Sequence, residues 1–357
     1  MIYFQYLLRS IALAYVCSYL FGKRKKMFFL VVSGILLSLF LGLRDIEVGG
    51  IDLLRYEMHY ETLLHATSLI SAYEVREGEN VLFFISMYVS SSLGLSFQQF
   101  LFVVGVFSIS ASLLLYYRYS NYPLLCIAMF LPTCYIHMFS QLKQTIAVGI
   151  AALAYMLLQN NKTLWAYVVI VIAILFHPTA LVMVPFFILC KYRANPLLLI
   201  FLFACSFFVY LLRMEIGHFL TLAFYSQYLG NWESRESITG MASLFIILTI
   251  SYLIMMPKRK YVCDEKYLII SSYLYVLILA MTIFFCASYS FAFTRLNNYY
   301  MMFVPLALST ITEFDIWKSW SKYPVYAVYG IIIYIMINWF LDLVVSQQLY
   351  VYKFYWM

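Results

Sequence analysis

The sequence predicts an all-α, polytopic integral membrane protein with about 11–13 transmembrane helices, and three observations carry that expectation. Hydrophobic residues fill 65% of the 357 positions, charged residues only 11%, and the mean hydropathy is +0.87. Apolar runs near the length of a spanning helix recur along the chain. Between them Lys and Arg gather in short clusters, as they do on the cytoplasmic loops of membrane proteins. No stretch is long and polar enough to fold apart, so a single membrane domain over 1–357 is expected.

The first apolar run, about 2–21, lacks a small-residue cleavage site and reads as a transmembrane helix, not a removed signal peptide. Gly22-Lys23-Arg24-Lys25-Lys26 follows, a strong cytoplasmic marker that puts the N-terminus outside. A second span, 27–43, returns to the outer face, which makes 44–80 an external loop. Its middle, 53–73, is mildly amphipathic and predicts a short helix along the interface. Runs 81–95 and 98–117 are both apolar, yet two full crossings would reverse every later basic loop. One crossing plus a re-entrant or surface helix is expected there.

Beyond Arg118, spans at 124–139, 145–158, 164–176, 181–189 and 197–212 lead to a second large external loop, 213–240. Spans at 241–256, 267–287, 291–311 and 324–341 complete the chain. The inner loops of this scheme hold 14 of the 23 Lys and Arg but 4 of the 16 acids, which supports its orientation. The net charge of +7 is thus a topology signal and not a nucleic-acid signal. Seven scattered cysteines without a CxxC read as buried hydrophobes, and Asn161-Lys162-Thr163 as a chance glycosylation match on an inner loop.

Seven charged side chains between Arg44 and Glu61 stand out in so apolar a chain. Arg44 and Arg295 suit a polyphosphate or carboxylate, because a guanidinium binds two oxygens and keeps its charge when buried. An interfacial Arg that snorkels or pairs with Asp45 or Glu47 is the plain alternative. Asp52 and Tyr56 share a helical face, with Asp52 as a general base toward a sugar hydroxyl or as the N-cap of a helix starting at Leu53. Lys143, beside Gln144 at a span start, suits phosphate; a topogenic Lys would lie on the wrong side here. His177 precedes Pro178 at a span end, where histidine serves catalysis or a buried hydrogen bond. Asn298 and Tyr299 lie one helical turn from Arg295. Asp45-x-Glu47 reads as an ion-paired loop before a metal site, and no metal or cofactor is expected. No HExxH, GxSxG or Walker A motif appears, against zinc hydrolases, serine esterases and nucleotide hydrolysis.

In order and spacing these residues resemble the EpsG-like branch of Wzy polysaccharide polymerases. The resemblance rests on Arg44, then Gly50-x-Asp52-x-x-x-Tyr56, then Lys143-Gln144-x-x-Ala147, then Phe176-His177, then Arg295 with Asn298, Tyr299 and Tyr300. Lys143 stands where the family usually has arginine, so a point charge replaces a bidentate fork. The resemblance implies a glycosyltransferase C-like fold in a bacterial inner membrane, with the active site facing the periplasm. It implies transfer of a growing O-antigen, capsule or exopolysaccharide chain from undecaprenyl diphosphate to a hydroxyl of the next lipid-linked unit. Arg44, Lys143 and Arg295 then face the diphosphate, Asp52 or His177 takes the base role, and Tyr56 with 213–240 meets sugar. The partners implied are the lipid-linked oligosaccharide and the bilayer, with a chain-length regulator and flippase of the same pathway. A flippase would line its charges across the whole bilayer, and a glycan acyltransferase would want polar groups on the inner half of the spans. Here the charges gather at outer helix ends.

Overall fold

The computed structural model describes residues 2–47, 51–66, 68–74, 80–224, 238–256, 262–287, 295–313, 330, 352 and 354–356. Helices dominate them, as the composition requires of a chain whose backbone polar groups must be satisfied without water. Four stretches are long and apolar enough to cross a membrane, or five with the bent pair Pro196–Leu211 and Arg213–Phe219. Of the roughly 11–13 expected spans, others fall on shorter apolar helices, among them Val81–Ser92, Pro123–Thr133 and Thr163–Phe176. The predicted span 324–341 lies outside the described residues. The chain divides into two compact units, Met1–Ala180 with Trp339–Met357, and Leu181–Asn338.

The first unit opens with α1 (Ile2–Ser18) and α2 (Lys25–Gly42), joined by a 3₁₀ turn, Tyr19–Arg24. Gly22 sits there at φ +50, a conformation costly for a residue with a Cβ. Ring contacts pair Phe4 with Phe40 (5.3 Å) and Tyr15 with Phe29 (5.2 Å), so the two helices form an antiparallel hairpin. The surface helix expected at 53–73 is α3 (Ile51–Leu64) followed by α4 (Leu69–Glu74). Leu53, Tyr56, Tyr60 and Leu63 are buried while Leu54, Met58 and Leu64 are exposed, a one-sided apolar stripe. Tyr60 donates to the Leu95 carbonyl (2.9 Å) and stacks on Phe100 (5.5 Å), which pins α3 down.

α5 (Val81–Ser92) and α6 (Phe97–Tyr119) meet at a turn where Gly94 takes φ +75 and Ser96 forms a capping box with Gln99. At 12 residues α5 is about 18 Å long, short of the apolar core, whereas 23-residue α6 has the length to cross. α6 runs antiparallel along α2: a Cβ on Gly42 would lie 2.7 Å from the Phe102 Cα, and Gly105 faces Leu41. Gly42→Val is therefore expected to cost about 1–3 kcal/mol through overpacking. A lowered unfolding midpoint in detergent checks it.

The expected span 124–139 is not one helix. α7 (Pro123–Thr133) contains Pro132, and the chain leaves the helix at Cys134 for a 3₁₀ turn, Tyr135–Phe139. A proline removes a backbone bond and crowds the preceding turn, which an apolar run does not reveal. α8 (Leu142–Gln159) is buried nearly all round and set close to α6, where a Cβ on Gly149 would lie 3.3 Å from the Ser108 Cα. α9 (Thr163–Phe176) ends where His177 adopts the extended backbone that a following proline favours.

The second unit is built on α14 (Asp264–Ala287), against which α10 (Met183–Leu189), α11 (Pro196–Leu211), α12 (Arg213–Phe224) and α13 (Ile238–Met255) pack. Polar pairs hold these apolar helices in register. Ser206 meets Thr282 at 2.6 Å, Tyr252 donates to the Ile270 carbonyl, and the Ala194 N–H donates to Ser271. The loop expected at 213–240 begins as a helix, since α12 continues α11 through an 80° bend. Arg213 folds back onto the Tyr210 ring and carbonyl at the corner, so polar residues here mark a bend and not a loss of helix. Residues 225–237 lie outside the described set.

Candidate functional site

In the first unit the break after α7 and the start of α8 converge on the ends of α2 and α3. Arg44 follows α2 and is buried, with 1% of its surface exposed. It donates through Nη1 to the Leu41 carbonyl and through Nη2 to the Phe139 carbonyl (2.8 Å), the latter freed by the broken helix. Its guanidinium also lies over the Phe139 ring, 5.3 Å from the centroid. No carboxylate pairs with it among the described residues, and its Nε–H has no hydrogen-bond partner there. Burial pulls its pKa down to about 10, with Tyr352 and Tyr135 acting the other way, so it stays charged at neutral pH.

A C-terminal segment covers this arginine. Phe354 forms an isolated antiparallel bridge with Arg44, and the Tyr355 N–H donates to the Leu43 carbonyl at 3.0 Å. Tyr352 stacks on Phe40 (4.0 Å) and donates to its carbonyl (2.6 Å). From the other side the Gln98 amide donates to the carbonyls of Gly42 and Arg44. Arg44→Ala would leave the Leu41 and Phe139 carbonyls short of a donor, at about 1–3 kcal/mol for a buried group. The expected result is less folded protein in the membrane and a lower unfolding midpoint.

Lys143 sits in the first turn of α8. A cation at a helix N-terminus adds to the positive end of the macrodipole, where an anion is favoured. Its Nζ lies 5.2 Å from the Tyr56 ring centroid and 5.7 Å from that of Phe83. The two rings pack edge to face at 5.2 Å. Three elements distant in sequence, α3, α5 and α8, thus build one aromatic cradle around an ammonium. Gln144, the next residue, is buried.

Asp52 is half-buried in the first turn of α3, four residues before Tyr56. The helix begins at Ile51, not at Leu53, so Asp52 stands inside the first turn and not at the N-cap. The adjacent Asp45 carboxylate accepts from the Glu47 N–H at 2.8 Å, closing a local turn. His177 is half-buried after α9, where its Nδ1 accepts from the Thr179 N–H (3.4 Å) and meets the Thr179 hydroxyl. An acceptor at Nδ1 leaves the ring proton on Nε2 in the neutral form.

Arg295, Asn298 and Tyr299 belong to the second unit. Arg295 is half-buried, while Asn298 and Tyr299 are buried around the short helix Asn298–Met301. Asn297 donates to the Ala280 carbonyl (3.1 Å), and Tyr300 donates to the Val182 carbonyl. Phe83, Gln98, Phe139, Thr179 and Tyr352 are contributors that sequence reasoning missed. Thr179 alone carried a local signal, a hydroxyl two residues after a histidine; the others act across 50 or more residues.

The family model described as the EpsG family matches residues 3–354, nearly the whole chain. No curated protein and no solved structure matches it.

Proposed function

Since the chain belongs to the EpsG family, we propose that it is a polysaccharide repeat-unit polymerase. Membership supports a part in polysaccharide polymerisation in general terms, and the apolar helices make this a membrane protein. Our reading of the reaction is finer. The growing glycan passes from undecaprenyl diphosphate to a hydroxyl of the next lipid-linked unit, at the periplasmic face of a bacterial inner membrane. The product is an O-antigen, capsule or exopolysaccharide chain.

The observation that carries the reading is Lys143, held between Tyr56 and Phe83 at the positive end of α8. In the transfer the bond from the anomeric carbon to the diphosphate oxygen breaks, and the diphosphate leaves with the electron pair. A bond to the acceptor oxygen forms, and the hydroxyl proton must go to a base. Lys143 and the α8 terminus would stabilise charge on the leaving diphosphate, which is where electrostatic help counts most. Aromatic faces such as Tyr56 suit the apolar faces of sugars. Arg295, with Asn298 and Tyr299, is assigned to substrate as well.

Asp52 takes the base role in this scheme. His177, whose Nδ1 contacts Thr179, is left a hydrogen-bonding role in this division. Arg44 is assigned a bracing role, as its terminal nitrogens are committed to main-chain carbonyls. Thr179→Val is expected to reduce elongation about tenfold, the value of one hydrogen bond near 1.4 kcal/mol, at unchanged membrane abundance. A parallel loss of membrane abundance would leave Thr179 a structural residue only.

The test is the glycan ladder of cells in which the gene is deleted. Single repeat units on the carrier or on lipid A, with longer chains gone, support a polymerase. Loss of even the single unit from the outer surface would point to a flippase. Unchanged chain length with one substituent missing would point to an acyltransferase.

A further inference from the structure

α2 and α6 line an apolar groove of about 500 Å³, which runs along α2 from Met27 to Leu39. None of the residues assigned to the candidate site lines this groove. Small residues line it, Ser38 on α2 and Ser110 on α6, while Gly34 admits the Leu113 side chain against α2. Val31, Ile35 and Leu114 along it are exposed. Twelve helical rises from Met27 to Leu39 make the groove about 18 Å long, the length of one acyl chain and far short of a polyprenyl tail.

The groove opens at one end into a cavity of about 640 Å³ lined by Lys23, Arg24, Lys26 and Arg118. Met27, Leu114 and Tyr117 line both, so apolar channel and basic mouth are continuous. Two of the cations are held in place. Lys26 lies 5.0 Å from the Tyr117 ring centroid, and Arg118 donates to the Asn160 Oδ1 at 2.8 Å. Topogenic charge explains basic residues at this level of the membrane, but not a groove ending among them.

We propose that this groove and its mouth bind an anionic phospholipid from the leaflet that Lys23–Lys26 face, which the charge bias assigns to the cytoplasm. One acyl chain fills the groove, and the phosphate lies among Lys23, Lys26 and Arg118, where a basic pocket between helices recognises such a head group. A free phosphate would leave the groove open, and a zwitterionic lipid carries its own cation into the basic mouth.

The test is thermal unfolding of the full, delipidated protein in detergent with phosphatidylglycerol, phosphatidylcholine of the same chains, inorganic phosphate or a polyprenyl monophosphate. At a hundredfold excess over its Kd, phosphatidylglycerol is expected to raise the midpoint by roughly 3 °C. The other three are expected to leave it in place. K26Q/R118Q retains Lys23, Arg24 and Lys25 to hold the topology and should lose the shift. Ser110→Trp fills the groove from an exposed position and should lose the shift with its own midpoint unchanged. Equal shifts from phosphatidylcholine or phosphate, a shift from the polyprenyl phosphate alone, or a phosphatidylglycerol shift that survives both variants would overturn the proposal.

Discussion

Lys143→Gln is expected to abolish chain elongation, by about 10²–10³-fold in rate, while the protein stays folded in the membrane. The substitution keeps a polar side chain, one atom shorter, and removes the charge between Tyr56 and Phe83. A lysine that merely packs on two rings contributes about 0.5–2 kcal/mol to stability, and its loss would appear in the unfolding midpoint. A lysine facing a leaving diphosphate would instead appear in the rate. Lys143→Arg separates the two further. It keeps the cation and offers a fork to phosphate, so substantial activity is expected to remain. The check is the distribution of chain lengths at matched membrane abundance.

Asp52→Asn should produce the second large loss, about 10²–10⁴-fold, the usual contribution of a positioned general base. The amide has nearly the shape of the carboxylate, and α3 is held by Leu53, Tyr56, Tyr60 and Leu63 independently of the charge. Folding and rate are therefore separable. His177→Gln should cost less than Asp52→Asn, because glutamine can still donate a hydrogen bond where Nε2–H did. Were the ranks reversed, with His177→Gln the more severe, the base would be the histidine and not Asp52.

Much of the first unit was legible in the sequence for identifiable physical reasons. The α1–α2 hairpin follows from two apolar runs around Gly22 and four cations, which nothing but a tight turn at a membrane surface accommodates. α3 was readable because Leu53, Tyr56, Tyr60 and Leu63 fall on one helical face. Hydropathy, by contrast, is blind to a break inside an apolar run. Pro132 divides 124–139, and that break frees the Phe139 carbonyl which Arg44 then takes from 95 residues away. A guanidinium was foreseen as a phosphate ligand on chemistry alone; its surroundings of backbone carbonyls and a C-terminal aromatic cap are matters of tertiary contact. The bend at Leu212 was hidden differently. The apolar run ends at Leu212 and reads as the start of a loop, although Arg213 and Glu215 suit an interfacial helix equally well.

As proposed above, this chain joins lipid-linked repeat units. The most direct measurement reconstitutes the purified protein in proteoliposomes with its polyprenyl-diphosphate-linked repeat unit and follows both products. A ladder of longer glycans, with one polyprenyl diphosphate released per linkage and neither produced by Lys143→Gln, is the predicted result. Units that cross the bilayer without lengthening, or a protein that leaves unit and carrier unchanged beside an active wild-type control polymerase, would contradict it.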